Sequence, residues 1–253
     1  MMDHIGVIFV GHGTRNAQGI SEFFDLTRRI QQKLTWWATR MGRVLTYATA
    51  FLELVGPDIP CAMQTCLNAG VHRIVVVPFF LFEAGHMKQD LPTIILNASR
   101  LYPEIPIDLM DAIGVDERFM RVLIERMEQL EGEQPLSVLL LGRGNRESSA
   151  QREFEIIAQW VRNQSSVARL EVGYLAGDSV NWLEVLDGMA ESRDTHILIQ
   201  PYLWFHGWLT DQIPRWLTEW QASRPCVETM IGAPLGTHPV LVDAMVARAM
   251  SVL

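Results

Sequence analysis

The chain has 253 residues, of which 49% are hydrophobic, 20% charged and 9% aromatic. This composition can bury a large core, which excludes a disordered protein and a coiled coil and leaves one large domain or two of about 125 residues each. The 21 Lys and Arg residues against 29 Asp and Glu residues give a net charge of −8 without a basic run, which argues against nucleic acid as a partner.

Short apolar runs alternate with longer amphipathic segments along the first half of the chain. The runs predicted as buried strands are Ile5–Val10, Val44–Phe51, Ile74–Phe82 and Ile107–Leu109. Apolar residues recur at helical spacing at Phe23, Leu26, Ile30 and Leu34, and again at Phe119, Val122, Leu123 and Met127. Strands that alternate with helices predict an α/β fold with a parallel, doubly wound sheet, in which ligands bind beyond the carboxyl ends of the strands.

The sequence predicts no membrane segment and no disulfide framework. The longest apolar run, Ile74–Phe82, is about half of the roughly 20 residues that cross a bilayer. The N-terminal residues show neither a basic segment nor a cleavage site. Cys61, Cys66 and Cys226 do not make a disulfide framework in a chain of this length, and we expect Cys61 and Cys66 to be buried thiols. We therefore expect a cytoplasmic protein that binds no membrane.

The second half of the chain repeats the first. Gly6–Arg15 and Ser137–Arg146 each place four apolar residues before Gly-x-Gly-x-Arg, at an offset of 131 residues. Val77–Phe82 and Gln200–Phe205 also match each other, with Pro second and Phe last in both segments, at an offset of 123 residues. A repeat of this length indicates internal duplication of a whole domain.

The two repeats join at Glu131–Pro135, a polar segment with Gly and Pro that is typical of a linker. The sequence therefore predicts two tandem doubly wound domains, residues 1–132 and residues 133–253.

Polar side chains follow three predicted strands of the first half. His12 lies between two glycines after the first strand, Glu53 follows the second strand, and His86 follows the third. Because the carboxyl ends of parallel strands meet at one edge of a sheet, we expect these side chains to lie close together. Two imidazoles and a carboxylate suit a divalent first-row ion with open positions, and they can also accept protons near pH 7. A hydrogen-bonded structural role stays the alternative for each histidine taken singly.

The second half has lost these polar residues while it keeps the surrounding pattern. Arg143, Ala176 and Trp208 stand in the three corresponding positions. We therefore predict a degenerate site that performs no chemistry in residues 133–253. Trp204 and Trp208 flank a strand end, where a flat aromatic ligand could stack on them.

The motifs together resemble the class II chelatases of the CbiX/SirB type. The segments that carry the resemblance are Gly11–Arg15, Phe51–Leu54, Val77–Leu81, Gly85–Pro92 and Pro234–Pro239. The resemblance implies two chelatase-like domains facing each other across a cleft, the first of which carries the active site. It implies insertion of Co²⁺ or Fe²⁺ into sirohydrochlorin without ATP, on the route to cobalamin or sirohaem. It also implies that His12 and His86 bind the metal and that Glu53 assists catalysis.

Metallation of a tetrapyrrole removes pyrrole N–H protons while a dehydrated ion enters the ring, so His12, Glu53 and His86 are the predicted catalytic residues. The divalent metal is then a substrate, and no permanently bound cofactor is expected. Sirohydrochlorin is a polycarboxylate, and arginine binds carboxylates in a bidentate manner. The predicted substrate-binding residues are Arg15, Lys88, Arg143 and Arg146. A solvated or salt-bridged surface role is the alternative for each of them.

Two other functions are open at this point. A non-catalytic tetrapyrrole or metal carrier would keep the binding groups without needing Glu53 as a proton acceptor. A phosphoryl-transfer enzyme with a catalytic histidine would need an arginine directly before His12, where Gly11 stands. The sequence leaves the choice between cobalt and iron and the order of binding open. Because a fused pair of halves can replace a dimer of single-domain relatives, a monomer is the expected state.

Overall fold

The structure, a computed structural model, describes residues 3–130, 136–177, 180–192 and 194–253, so the predicted linker Glu131–Pro135 lies outside the described residues. The strands are β1 (His4–Gly11), β2 (Val44–Phe51), β3 (Arg73–Pro78), β4 (Ile107–Leu109), β5 (Ser137–Gly142), β6 (Arg169–Tyr174), β7 (His196–Pro201) and β8 (Glu228–Ile231). The α-helices are α1 (Ala17–Arg40), α2 (Ile59–Asn68), α3 (Leu91–Leu101), α4 (Glu117–Glu128), α5 (Ser148–Gln164), α6 (Trp182–Glu191), α7 (Trp208–Gln221) and α8 (Pro239–Met250). A π-helical turn, His86–Asp90, leads directly into α3.

The chain forms two compact units. The first unit holds the residues up to Ile113 together with Pro239–Leu253, and the second holds Gly114–His238. Each unit contains one parallel four-stranded sheet, in the order β2-β1-β3-β4 or β6-β5-β7-β8. The α/β fold with two duplicated parallel sheets is therefore confirmed.

Helices cover both faces of the first sheet. On one face, Ile8 and Val10 join a buried cluster with side chains of α2 and α3. On the other face, the ring of Phe79 lies 6.0 Å from Phe9 and 5.3 Å from Phe23 of α1. Alternate residues of a strand point to opposite faces, so the continuous apolar sequence of β1 is what a sheet covered on both faces requires.

The second sheet is built in the same way. Leu139 and Leu141 of β5 pack with the apolar side chains of α6 and α7 on one face. On the other face, the ring of Phe154 in α5 lies 5.7 Å from Tyr202, which is completely buried. Both sheets are thus doubly wound.

The compact units and the sequence repeats divide the chain differently. Helix α4 follows β4 in the chain but belongs to the second unit, where it packs on α5. Helix α8 follows β8 but belongs to the first unit, where it packs on α1. Each helix buries one apolar face. A face of this kind can pack against any apolar surface of matching shape, so it does not specify which unit the helix joins. The boundary between residues 132 and 133 stays a prediction about where the repeats join.

Two details differ from the sequence expectations. Strand β3 ends at Pro78, four residues before the end of the predicted strand Ile74–Phe82, because the pairing with β1 stops opposite Val10. Cys61 is exposed in the first turn of α2, whereas Cys66 is buried, and burial raises the pKa of the Cys66 thiol to about 11. No helix in the described part of the chain is long and apolar enough to cross a membrane.

Matching glycines shape the first turn after β1 and after β5. Gly13 has φ +103° and Gly144 has φ +94°. A Cβ on Gly13 would lie 1.9 Å from the carbonyl oxygen of Glu53, and a Cβ on Gly144 would lie 1.6 Å from that of Ala176. Only glycine allows these two backbone segments to approach so closely.

We expect Gly13→Ala and Gly144→Ala each to lower the free energy of unfolding by more than about 2 kcal/mol, because strain at positive φ adds to a backbone clash. Urea unfolding of the two variants measures the loss. Gly42→Ala is the matched control, since Gly42 has φ +67° with no atom within 4 Å of the added Cβ, and it should lose only about 1 kcal/mol. Equal stabilities of the Gly13 and Gly42 variants would contradict the close approach.

Candidate metal centre

The backbone pairing of β1 with β2 continues past the ends of both strands. The Leu52 amide donates to the Gly11 carbonyl at 2.9 Å, and the Glu53 amide donates to the His12 carbonyl at 3.0 Å. These bonds hold Glu53 beside His12, and the turn at Gly13 makes room for the Glu53 carbonyl. The position of the carboxylate therefore follows from the register of the sheet.

The third side chain comes from the π-helical turn His86–Asp90 after β3. The amide of Leu91 donates to the carbonyl of His86, which closes the turn. Met87 is 5% exposed and Leu91 is completely buried, so two apolar side chains anchor the turn in the core. His86 is half-buried at the edge, where it meets His12.

The three side chains converge. His12 Nε2 lies 3.1 Å from His86 Nε2 and 3.4 Å from Glu53 Oε1. The two imidazole rings lie edge to face, with centroids 4.7 Å apart, and the Phe80 ring lies 6.3 Å from each of them. One ligand atom from each of His12, Glu53 and His86 lies within 4.8 Å of the others, and no second group of this kind occurs among the described residues.

The other ring nitrogen of each histidine has an acceptor partner. His12 Nδ1 lies 3.2 Å from the Gly13 carbonyl oxygen, and His86 Nδ1 lies 2.6 Å from Asp90 Oδ2. A carbonyl and a carboxylate accept hydrogen bonds, so both contacts favour a proton on Nδ1, which leaves the Nε2 lone pair to a metal ion. Histidines that bind metals show this arrangement, with the second nitrogen donating to a carboxylate or a backbone carbonyl.

Two facing lone pairs repel each other unless a cation or a proton lies between them. The side chains of His12, His86 and Glu53 are 33%, 33% and 48% exposed, so solvent reaches all three. Two nitrogens and one carboxylate oxygen leave coordination positions open on a divalent first-row ion. The arrangement can hold such an ion, and it can accept protons from a bound molecule.

The structure places the predicted substrate-binding cations on exposed segments near the strand ends. Arg15 follows the turn of His12, and Lys88 lies in the same π-helical turn as His86. Arg143 and Arg146 lie on the loop that follows β5 in the second unit. Arg15 and Arg143 form no ion pair within 4.0 Å with any residue in the described ranges, so their guanidinium groups are available for a carboxylate.

The second unit keeps the backbone of the site and changes its side chains. The Leu175 amide donates to the Gly142 carbonyl at 3.0 Å and the Ala176 amide donates to the Arg143 carbonyl at 2.9 Å, which repeats the two bonds beside His12. Trp208 follows Gly207 at the start of α7 and is 67% exposed. The described part of this unit therefore offers a cation and an aromatic ring where the first unit offers metal ligands.

Two features of the site differ from the sequence expectations. Trp204 is 6% exposed and its ring packs 5.2 Å from Phe119, so it offers no surface on which a ligand could stack. Asp90, the partner of His86, was not singled out from the sequence. The four-residue spacing between His86 and Asp90, which places both on one face of a helical turn, was the signal that could have found it.

Comparison with known proteins finds relatives along the whole chain. The family model described as CbiX matches residues 6–130 and again residues 137–252. A sirohydrochlorin ferrochelatase from Priestia megaterium is 29% identical over 234 residues, which cover 92% of this chain and 84% of that protein. A sirohydrochlorin cobaltochelatase from the same organism is 26% identical and covers 96% of this chain and 78% of that protein.

Solved structures match over the same extent. SirB from Bacillus subtilis with Fe³⁺ has a TM-score of 0.82 at 26% identity, and the match covers 99% of this chain and 95% of that chain. The sirohydrochlorin chelatase SirB from Bacillus subtilis subspecies spizizenii in complex with cobalt has a TM-score of 0.77 at the same identity and coverage.

We expect His12→Ala and His86→Ala each to weaken Co²⁺ binding by more than about 100-fold. The loss of a metal ligand lowers the affinity more than the loss of a residue that only hydrogen-bonds to a ligand. Titration of the tetrapyrrole-free protein with Co²⁺, followed by its visible absorption, measures the affinity. His196→Ala is the control. His196 lies at the start of β7, where it pairs with Glu228, and its substitution should leave the affinity unchanged. Wild-type affinity in either site variant would contradict the centre.

Proposed function

The chain belongs to the CbiX family, and we propose that it is a sirohydrochlorin chelatase that inserts Co²⁺ or Fe²⁺ into its tetrapyrrole substrate. The observation that carries the proposal is the convergence of His12, Glu53 and His86, with both histidine Nε2 atoms turned toward each other. Relatives named sirohydrochlorin ferrochelatase and sirohydrochlorin cobaltochelatase, matched over 92% and 96% of this chain, support it.

The geometry divides the reaction between metal delivery and proton removal. Nε2 of His12 and Nε2 of His86 hold the incoming divalent ion, replacing part of its hydration shell before it reaches the ring. The pyrrole N–H protons must leave as the metal–nitrogen bonds form, so that the dianionic ring balances the charge of the ion. Glu53, 3.4 Å from His12 Nε2, is placed to accept one proton, and His12 can accept another once the metal has left it.

The carboxylates of sirohydrochlorin need cations from a protein whose net charge is −8. Arg15, Lys88, Arg143 and Arg146 are exposed near the strand ends, and we propose that they bind these carboxylates. Arginine suits this role because its guanidinium group forms two parallel hydrogen bonds with one carboxylate. The metal is a substrate in this scheme and not a resident cofactor. A cytoplasmic monomer that needs neither nucleic acid nor membrane stays a prediction.

Anaerobic absorption spectroscopy of sirohydrochlorin with Co²⁺ or Fe²⁺ tests the reaction. We expect the wild type to accelerate metallation over the protein-free rate, and His12→Ala and His86→Ala to lose the acceleration. Glu53→Gln should lose most of the rate, because it removes a proton acceptor while it keeps the shape of the side chain and an amide oxygen at the site. His196→Ala serves as the control with an intact rate. A spectral shift on binding without any acceleration would favour the carrier function instead.

We expect Arg143→Ala to raise the KM for sirohydrochlorin about five-fold with little change in kcat, which corresponds to about 1 kcal/mol for an exposed charge-assisted contact. Arg215→Ala is the matched control, because it removes the same charge from the second unit at a residue paired with Glu219 along α7. Equal KM values for the two variants would show that only the net charge matters, and Arg143 would then have no specific role.

A further inference from the structure

We propose that Asp90 is a positioning residue that fixes the ring orientation and the tautomer of His86, so that Nε2 of His86 faces the metal. The role rests on the proposed function only in that a metal ion binds at His12 and His86. It adds a residue outside the ligand set to the machinery of the site.

The contact itself is short and directional. Asp90 Oδ2 lies 2.6 Å from His86 Nδ1, which is typical of a charge-assisted hydrogen bond. A carboxylate at this distance accepts the Nδ1 proton and leaves the Nε2 lone pair free. An imidazole without such a partner exchanges between its two tautomers, and one of them places a proton where the metal must bind.

The backbone of the π-helical turn positions both residues of this contact. His86 and Asp90 stand at its two ends, and the bond from the Leu91 amide to the His86 carbonyl spans the turn. Met87 and Leu91 point into the core, so the turn holds His86 and Asp90 at the exposed edge. The backbone of the turn therefore places the Asp90 carboxylate within hydrogen-bonding distance of His86.

A purely structural role for the carboxylate does not fit its contacts. Asp90 lies in a continuous helical run from the π-helical turn into α3, with helical φ of −72° and ψ of −54°, so its side chain is not engaged in capping α3. The hydrogen bond and ion pair of its carboxylate both go to His86. The side chain of Asp90 thus serves the histidine and not the helix.

The two histidines depend on different kinds of partner. His12 Nδ1 faces the carbonyl of Gly13, a backbone group at 3.2 Å that no substitution can remove. His86 depends on a side chain, and a carboxylate makes its partner imidazole a stronger electron donor than a carbonyl does. Asp90 therefore sets both the direction and the donor strength of one metal ligand.

The second unit provides an internal control for this pairing. Gly85 and Pro92 correspond to Gly207 and Pro214, and this alignment places Gln212 opposite Asp90. The apolar residue before each proline stays buried, whereas Trp208 replaces His86 and the acidic residue of this segment, Asp211, stands one position earlier than Asp90 does. At these two positions the second unit therefore holds neither the histidine nor a carboxylate four residues after it.

Two measurements on the full chain without tetrapyrrole test the role. The first records ¹⁵N NMR spectra of the histidine side chains and assigns the protonated nitrogen of His86. The second titrates Co²⁺ into Asp90→Asn and Asp90→Ala. Glu228→Gln is the matched control, because it removes the carboxylate from another histidine, His196, whose Nε2 lies 3.3 Å from Glu228 Oε2.

We expect the wild type to hold the proton of His86 on Nδ1, and both Asp90 variants to bind Co²⁺ about 10- to 100-fold more weakly with an unchanged fold. Glu228→Gln should bind Co²⁺ as the wild type does. A His86 protonated on Nε2 in the wild type, or unchanged Co²⁺ affinity in Asp90→Asn, would overturn the role. A wild type that binds Co²⁺ with this dependence on Asp90 but does not metallate sirohydrochlorin would overturn the proposed function alone.

Discussion

Two imidazole nitrogens 3.1 Å apart, Nε2 of His12 and Nε2 of His86, are the contact on which the site depends. The contact is repulsive when both neutral rings carry their protons on Nδ1, and a cation bound by both Nε2 atoms replaces this repulsion by coordination. The Gly13 carbonyl and the Asp90 carboxylate favour this protonation, because each lies within hydrogen-bonding distance of an Nδ1 atom on the far side of its ring. Glu53 adds negative charge beside the same point, which further favours a cation there.

The fold supplies the rigidity that such a contact needs. His12 and Glu53 are tied to each other by backbone bonds that extend the β1–β2 ladder, and His86 is held by a turn whose neighbours are buried. Ligand positions that follow from the sheet register vary little, because a register shift would expose the apolar faces of the strands. Preorganisation of this kind lowers the cost of stripping water from the incoming ion.

Duplication shows which parts of this design belong to the scaffold. The turns at Gly13 and Gly144 both have positive φ and a similarly close approach to a carbonyl, so the backbone has been kept in both units. The metal-binding side chains have not been kept, since Arg143 and Trp208 stand in the second unit at the positions of His12 and His86. One backbone thus presents metal ligands in the first unit, and a cation and an aromatic surface in the second.

The sequence by itself determined the duplication, the alternation of strands and helices, and the three polar residues at the strand ends, because local periodicity and parallel topology encode them. The tertiary structure decided what depends on packing between distant segments. It assigned α4 and α8 to units other than their own repeats, since an amphipathic stripe does not specify which surface covers it. It buried Trp204 against Phe119, and it joined Asp90 to His86, because side-chain direction in a π-helical turn follows from the three-dimensional path of the chain.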